Sequence, residues 1–308
     1  MRGLLVVNPN ATTTTPRARE VLINSLSYQF HLETITTDHR GHAAELGARA
    51  RADGVDAVIA LGGDGTANEI VNGMLGDQGP GPDVPAFGIV PGGSANVFSR
   101  SIGFPQDPIE ATGELISALR ERRTRTIGLG RADERWFLCN AGLGIDAEII
   151  KAMEEARAKG KSATPTRYLM TTLRQFFSGT DRRTSSLVVL RTGEEPVRGV
   201  FLAIIQNSSP WTYLGAMAVN PSPDASYQTG LDLWALRSMS VTSGLINSRR
   251  MLMKSKPKST NSVLMLHDQN EFTIACHRPT ALQVDGEGLG DVDDVRFTSH
   301  ADALRVFA

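Results

Sequence analysis

The feature that most constrains the fold is an apolar run at 57–61 that leads into the turn Gly62-Gly63-Asp64-Gly65 and then into a predicted helix at 66–75. Apolar runs at 4–7 and 87–90 end in similar turns, and each of these turns contains a proline. Short apolar runs of this kind are typical of strands buried on both faces of a sheet. Strands that alternate with helices form a parallel sheet, so the first part of the chain is predicted to be an α/β domain.

The pattern changes after residue 123, where strands separated by turn residues replace the alternation of strands and helices. Two helical stretches, 147–158 and 168–177, interrupt this second half. Successive short strands with turns between them indicate an antiparallel β domain. The predicted strands lie at 125–129, 136–140, 186–191, 200–206, 231–236, 270–276 and 280–284.

The charge balance and the cysteines restrict the partners and the compartment. A formal net charge of −1 gives no reason to expect nucleic acid as a partner. Cys139 and Cys276 lie far apart, form no metal-binding pattern, and are expected to be reduced thiols of a cytoplasmic protein. No stretch approaches about 18 apolar residues, so no membrane-spanning helix is predicted and a lipid substrate would be met at the bilayer surface.

The turn at 62–65 has the composition of a phosphate-binding loop. Glycines allow backbone N–H groups to approach a phosphate, and the start of a helix adds positive potential. Asp64 suits such a loop if Mg²⁺ lies between its carboxylate and the phosphates. The alternative is a tight strand–helix turn in which Asp64 is an N-cap. The turns at 8–12 and 91–96 also follow predicted parallel strands, at the sheet edge where ligands bind.

Other nucleotide-binding patterns do not account for the chain. No GxxxxGK[ST] sequence and no protein-kinase signature set occurs. Gly142-x-Gly144-x-x-Ala147 matches the dinucleotide fingerprint of NAD(P) oxidoreductases. That fingerprint also requires a second strand with an acidic end, whereas residues 157–167 are basic and lack strand character.

Four motifs together resemble those of the diacylglycerol kinase catalytic-domain family, which also contains sphingosine and ceramide kinases. They are Gly62-Gly63-Asp64-Gly65-Thr66-Ala67-Asn68-Glu69, similar to GGDGTxNE; Pro91-Gly92-Gly93-Ser94-Ala95-Asn96, similar to P-x-GTxN; Asn140-Ala141-Gly142-Leu143-Gly144-Ile145-Asp146-Ala147, similar to NxxGxGxDA; and Asp285-Gly286-Glu287, similar to DGE. Their order and spacing match the family over nearly the whole chain. The first motif alone is shared with NAD kinases, whereas the full set is specific.

The resemblance implies a lipid kinase that transfers the γ-phosphate of ATP, bound with Mg²⁺, to a lipid hydroxyl, with diacylglycerol as the first choice of substrate. It implies an α/β ATP-binding domain of the NAD kinase and diacylglycerol kinase type at 1–128, to which 300–308 return, and a β-sandwich domain for the lipid at 129–299. It also implies the residues that bind ATP, with Asp64 as the metal ligand: Asn8, Pro9, Asn10, Ala11, Thr12, Thr37, Gly62, Gly63, Asp64, Gly65, Thr66, Ala67, Asn68, Glu69, Ser94 and Asn96.

The resemblance further implies that Glu287 accepts the proton of the lipid hydroxyl and that Asp285 positions the hydroxyl or a Mg²⁺-bound water. Asp64 is the next candidate for the base. If the segment is a strand, residues two apart point to the same side, and both carboxylates share one face. The alternative is a β-turn, because Asp-Gly is a strong hairpin signal, with Glu287 in solvent.

Three positions depart from the family pattern. Thr12 stands where the phosphate turn usually has glycine, and Ser94 replaces a threonine but keeps its hydroxyl. Thr229 stands where bacterial members often have an aspartate that helps to hold a structural Mg²⁺ in the second domain, so that site is predicted to be absent. The departures keep open a lipid-binding member without catalysis, beside a sphingoid-base or ceramide kinase and an NAD kinase-like enzyme.

Two segments have the composition of a membrane-contacting surface. Residues 168–177 have an apolar face and are followed by Arg182 and Arg183, and residues 249–258 mix basic side chains with methionine and leucine. Either segment suits a peripheral contact with an anionic membrane. The alternative is a core-packed helix and a solvated basic loop. The sequence leaves a homodimer open.

Overall fold

The computed structural model describes residues 2–11, 16–144, 185–238, 240–252 and 259–308. These residues form two compact units. The first contains the residues up to Leu129 together with Ala301–Ala308, and the second spans Gly130–His300.

A parallel sheet forms the centre of the first unit. Strands β1 (Arg2–Val7), β2 (His31–Thr36), β3 (Ala57–Gly62) and β4 (Ala86–Pro91) lie in the order β4-β3-β1-β2. Val306, near the C-terminus, pairs in parallel with Phe87 of β4. β3 and β4 are buried along their whole length, as their apolar composition predicts. The helices are α1 (Pro16–Gln29), α2 (His42–Ala52), α3 (Asp64–Leu75), α4 (Val97–Ser101) and α5 (Pro108–Glu121).

Helix α5 shows how local sequence sets an element of this unit. Pro108 occupies its first position, and the Asp107 carboxylate accepts the N–H groups of Ile109 (2.8 Å) and Glu110 (3.0 Å). The first N–H groups of a helix have no acceptor within the helix, so a capping carboxylate stabilises its start. Proline suits this position because it lacks the N–H that would need an acceptor.

Antiparallel strands make up most of the second unit. β7 (Asn140–Gly144), β10 (Leu202–Gln206), β13 (Leu231–Leu236), β14 (Val263–Gln269) and β15 (Glu271–Val284) pair in the order β14-β13-β10-β7-β15. β15 also pairs with β16 (Glu287–Phe307) and with β8 (Leu187–Leu190). The other elements are β5 (Thr124–Ala132), which begins in the first unit, β6 (Arg135–Phe137), β9 (Val197–Val200), β11 (Thr212–Leu214), β12 (Met217–Val219) and helix α6 (Val241–Leu252).

Aromatic side chains fill the core of the second unit. The rings of Phe272 and Phe297 stack with centroids 5.4 Å apart, and Phe137 meets Phe297 edge-on at 6.5 Å. All three side chains are buried. Large buried aromatic rings contribute much of the apolar area that stabilises a core.

The predicted fold class, a parallel α/β part followed by an antiparallel β part, is confirmed. Helix α6 is not predicted from the sequence, because it begins with Val-Thr-Ser-Gly, residues of low helix propensity. The predicted helices at 147–158 and 168–177, and Arg182 and Arg183, lie outside the described residues. In the part of the chain that is described, no helix is long and apolar enough to cross a bilayer.

Candidate active site

The turns that follow β1, β3 and β4 lie next to one another at one edge of the parallel sheet. The N–H of Asn8 donates to the carbonyl of Leu61 (3.0 Å), and the N–H of Gly92 donates to the carbonyl of Gly62 (2.8 Å). These bonds continue the strand pairing into the turns. The carboxyl ends of parallel strands are the edge at which open α/β sheets bind ligands.

The turns after β3 and β4 touch backbone to backbone at two glycines. A Cβ atom on Gly63 would lie 3.0 Å from the Cα of Gly93, and a Cβ on Gly93 would lie 2.8 Å from the Cα of Gly63. Side chains at these positions would force the turns apart, so glycine is required at both. The same lack of side chains lets a phosphate approach backbone N–H groups at the start of α3.

Gly93→Ala is expected to weaken the binding of an ATP analogue by at least about 10-fold and to lower the stability by about 1–3 kcal/mol, the usual cost of overpacking. The reason is that the added methyl meets the backbone of the facing turn, which cannot rotate away. Calorimetric titration and thermal unfolding measure the two effects. The control is Gly113→Ala in α5, where the added methyl meets nothing within 4 Å. Equal effects in the two variants would contradict the prediction.

The Asp64 carboxylate joins the glycine-rich turn to α4. Its oxygens accept the N–H groups of Val97 (3.0 Å) and Phe98 (2.9 Å), which lie 33 and 34 positions further along the chain. A negative charge at a helix start is favoured by the partial positive charge there. Asp64 therefore caps α4, and not α3, whose own N-cap is Gly63.

Two asparagines among the predicted ATP contacts brace these turns. The side-chain amide of Asn8 donates to Thr66 Oγ1 (2.9 Å). Asn96 closes its turn by accepting the N–H of Gly93 (2.8 Å) and donating to the carbonyl of Gly93 (2.7 Å). Asn96 has a φ of 48°, a left-handed backbone conformation that asparagine tolerates better than most residues. Both asparagines thus shape the turns from within.

The other predicted ATP contacts differ in their surroundings. Ser94 and Gly65 are exposed, whereas Ala67 and Asn68 are buried in α3. The Glu69 carboxylate accepts the N–H of Gly41 (3.2 Å). Of the remaining residues, Asn10 donates its N–H to Asn8 Oδ1, Thr37 donates its N–H to the carbonyl of Val7, Pro9 follows β1, Ala11 is buried, and Thr12 lies outside the described residues.

In the second unit, Asp285 and Gly286 form the two-residue turn between β15 and β16. Their φ angles are 46° and 80°, the left-handed values that a tight hairpin of the Asp-Gly type needs. The expectation that Asp285 and Glu287 share one face of a strand is therefore wrong. Asp285 lies in the turn, and Glu287 is the first residue of β16.

The Asp285 carboxylate holds the connection between β6 and β7. It accepts the N–H groups of Leu138 (2.7 Å), Cys139 (2.8 Å) and Asn140 (3.0 Å), and the residue is 9% exposed. Hydrogen bonds to a buried charged group are among the stronger ones in proteins. This geometry assigns Asp285 a structural role, and its role at a lipid hydroxyl stays a prediction.

Glu287 forms an ion pair with Arg135 of β6. Arg135 Nη2 donates to Glu287 Oε2 at 2.8 Å, and the two side chains are 28% and 18% exposed. A partly buried pair with a direct hydrogen bond fixes the direction of the carboxylate. Arg135 was not identified from the sequence, because it belongs to no motif and lies 152 positions from its partner.

The segment at 226–231, predicted to lack the structural Mg²⁺ site, is closed by protein groups. The Thr229 hydroxyl and N–H both donate to the carbonyl of Ser226, at 3.0 and 3.1 Å. The N–H of Gly230 donates to the Asp268 carboxylate at 2.6 Å. The hydroxyl thus occupies a carbonyl that could otherwise face a cation.

Addition of Mg²⁺ to the metal-free chain without ATP is expected to leave the midpoint of thermal unfolding unchanged. The physical reason is that Thr229 supplies no carboxylate, the ligand that Mg²⁺ prefers. Differential scanning calorimetry with and without Mg²⁺ measures the effect. Mg²⁺ added together with ATP is the positive control, because a ligand that binds the folded state raises its stability. A rise with Mg²⁺ alone that disappears in Thr229→Val would contradict the prediction.

Comparison with known proteins bears mainly on the first unit. Residues 2–132 match the family described as the diacylglycerol kinase catalytic domain. A protein named "Probable lipid kinase YegS-like" from Chromohalobacter salexigens is 35% identical over 137 residues, 44% of this chain and 42% of that protein. A protein named "Diacylglycerol kinase" from Staphylococcus saprophyticus is 30% identical over 143 residues, 46% of this chain and 43% of that protein. The match thus spans less than half of each of these relatives.

A solved structure extends the similarity of fold to the second unit. A diacylglycerol kinase from Bacillus anthracis str. Sterne aligns with 99% of this chain and 96% of its own, with a TM-score of 0.72 and 19% identity. At this identity the similarity concerns the fold alone. It agrees with the parallel and antiparallel parts described above.

Proposed function

We propose that this chain, whose residues 2–132 belong to the diacylglycerol kinase catalytic-domain family, is an ATP-dependent kinase that phosphorylates a lipid hydroxyl, with diacylglycerol as substrate and phosphatidic acid as product. The observation that carries the proposal is the backbone contact between Gly63 and Gly93 at the carboxyl ends of two parallel strands. It leaves the start of α3 open to a phosphate, and charged phosphates bind well at such positions.

Each group of residues has a part in the proposed reaction. The backbone N–H groups of the glycine-rich turn bind the phosphates, and Asn8 and Asn96 hold the turns in shape. Glu287 accepts the proton of the lipid hydroxyl as its oxygen bonds to the γ-phosphorus and the bond to the ADP oxygen breaks. Arg135 orients the Glu287 carboxylate.

The divalent cation that kinases use fits the chemistry of the Asp64 carboxylate. Oxygen ligands are those that Mg²⁺ prefers, and a carboxylate can accept more hydrogen bonds or ligands than the two N–H groups of α4 supply. Mg²⁺ bound with ATP would neutralise charge on the transferred phosphoryl group. We therefore propose Asp64 as its protein ligand, beside its capping role.

The decisive test uses the purified chain, labelled ATP with Mg²⁺, and a total lipid extract, with the products separated by thin-layer chromatography. Labelled phosphatidic acid is expected. A labelled sphingoid-base or ceramide phosphate would identify the related lipid kinases instead, and labelled NADP from added NAD would identify an NAD kinase-like enzyme. No labelled product with any of them, while ATP still binds, would indicate a member without catalysis.

We also propose that α6 contacts the surface of an anionic membrane. Ile246 is 54% exposed and Leu252 is 41% exposed, and Arg249 and Arg250 are exposed on the same helix. Apolar and basic side chains together are typical of peripheral contacts with anionic lipids. The basic residues at 254–258, which continue the predicted surface, lie outside the described residues.

Replacing Arg249 and Arg250 together with glutamine is expected to weaken binding to vesicles that contain phosphatidylserine by on the order of 10-fold, since each basic residue contributes about 1 kcal/mol at such a surface. Binding of the unaltered chain should also weaken as salt rises. Sedimentation with vesicles measures both effects. Arg198→Gln, at an exposed position of β9, is the control. Binding that depends on neither salt nor the two arginines would contradict the proposal.

A further inference from the structure

The loop between β2 and α2 brings two histidines onto one aspartate. His39 Nδ1 lies 2.5 Å from Asp38 Oδ1, and His42 Nδ1 lies 2.8 Å from the same oxygen. The imidazole rings stack with centroids 4.8 Å apart and planes 8° apart. Within the described ranges, this is the one group of three histidine, cysteine or acidic residues whose ligand atoms come within 4.8 Å of one another.

The hydrogen bonds of this cluster favour a positive charge between its members. The N–H of Asp38 donates to His42 Nδ1 (3.3 Å), so that nitrogen offers a lone pair beside the Asp38 carboxylate. His39 Nε2 lies 3.3 Å from Glu45 Oε1, while its Nδ1 faces Asp38. Hydrogen bonds to Asp38 and then to Glu45 raise the pKa of His39, because the carboxylates favour the protonated ring. A metal ion supplies such a charge in place of a proton.

We propose that Asp38, His39 and His42 bind a first-row transition-metal ion, with Zn²⁺ as the best fit. Imidazole nitrogen together with one carboxylate suits zinc, cobalt or nickel, whereas Mg²⁺ prefers a set of oxygen ligands. Three protein ligands leave the fourth tetrahedral position to water or another ligand. Glu45 supplies the outer carboxylate that metal-bound histidines commonly hydrogen-bond through their second nitrogen.

The free geometry is close to that of a bound site. Zinc ligands at about 2.0–2.1 Å in a tetrahedron lie about 3.3 Å from one another. The distances of 2.5 and 2.8 Å from Asp38 Oδ1 therefore have to lengthen by less than about 1 Å. The side chains of Asp38 and His39 are 74% and 53% exposed, so they can move this far without disturbing the core.

The site lies beside the predicted nucleotide turns and differs from them in chemistry. Thr37, a predicted ATP contact, directly precedes Asp38. Gly41, within the loop, donates its N–H to Glu69 of α3 at 3.2 Å. A bound ion would thus fix the loop that joins β2 to α2.

The experiment is a titration of the untagged, metal-free full chain, without ATP, with Co²⁺ and Zn²⁺. Co²⁺ is expected to give visible absorption bands of a four-coordinate site, with one ion per chain, and Zn²⁺ is expected to displace it, whereas Mg²⁺ is not. Asp38→Ala and His39→Ala should each weaken Zn²⁺ binding at least about 100-fold, more than the loss of an outer-sphere partner. Binding should strengthen from about pH 5 to 8 as the imidazoles lose their protons.

His31→Ala is the matched control, because His31 is an exposed histidine at the other end of β2. It should bind Zn²⁺ as the unaltered chain does. Circular dichroism and thermal unfolding verify that each variant is folded. The proposal is overturned if the unaltered chain shows no saturable uptake, or if the folded Asp38→Ala and His39→Ala variants bind Zn²⁺ with unchanged affinity.

Discussion

Replacing Glu287 with glutamine is expected to lower kcat by about 10²–10⁴, the contribution of a general base, with ATP affinity nearly unchanged. A lipid hydroxyl has a pKa far above neutrality, so its attack on the γ-phosphate is helped by a carboxylate that takes the proton. Glutamine keeps the size of the side chain and an oxygen that can accept the Arg135 N–H, which now lies 2.8 Å from Glu287. Initial rates with a lipid substrate in mixed micelles give kcat and the KM for ATP.

The matched control is Glu271→Gln. Glu271 forms a similar pair with Arg296, at 2.7 and 2.9 Å, but this pair is exposed and is expected to contribute about 1 kcal/mol or less. Full turnover in Glu271→Gln and a large loss in Glu287→Gln would support the base. If Glu287→Gln keeps full turnover, the base lies elsewhere, and Asp64 becomes the next candidate.

Asp64→Ala is expected to lower kcat/KM for ATP by on the order of 10²–10³, the effect of removing one electrostatic contact to the transferred group. It should also lower the stability by about 1–3 kcal/mol, because the N–H groups of Val97 and Phe98 lose their acceptor. Initial rates at 25 °C and urea unfolding separate the two effects.

Asp107→Ala is the control for the capping role of Asp64. The Asp107 carboxylate also accepts two N–H groups at the start of a helix, α5, at 2.8 and 3.0 Å. Its removal should destabilise the chain by a similar amount, about 1–2 kcal/mol, and leave the folded chain active. Activities that fall equally in the two variants, at a temperature where both are folded, would show that Asp64 acts through the fold alone.

Several elements could be predicted because their causes are local. The apolar runs of β3 and β4 indicate strands buried on both faces, and both strands are buried throughout. Asp107 and Pro108 mark the start of α5. Asp-Gly at 285–286 marks a hairpin, although the resemblance favoured a strand there. Helix α6 has no such local signal and was missed.

By itself, the sequence determined the family motifs, the parallel and antiparallel parts of the fold, and the glycines at which turns come close, because these depend on periodicity and on residue type. Only the tertiary structure decided what the acidic side chains contact. Asp64 caps a helix 33 positions away, Asp285 accepts N–H groups about 146 positions away, and Glu287 pairs with Arg135, 152 positions away. Local pattern carries no information about such partners, since the direction of a polar side chain depends on which strand or helix start the folded chain brings beside it.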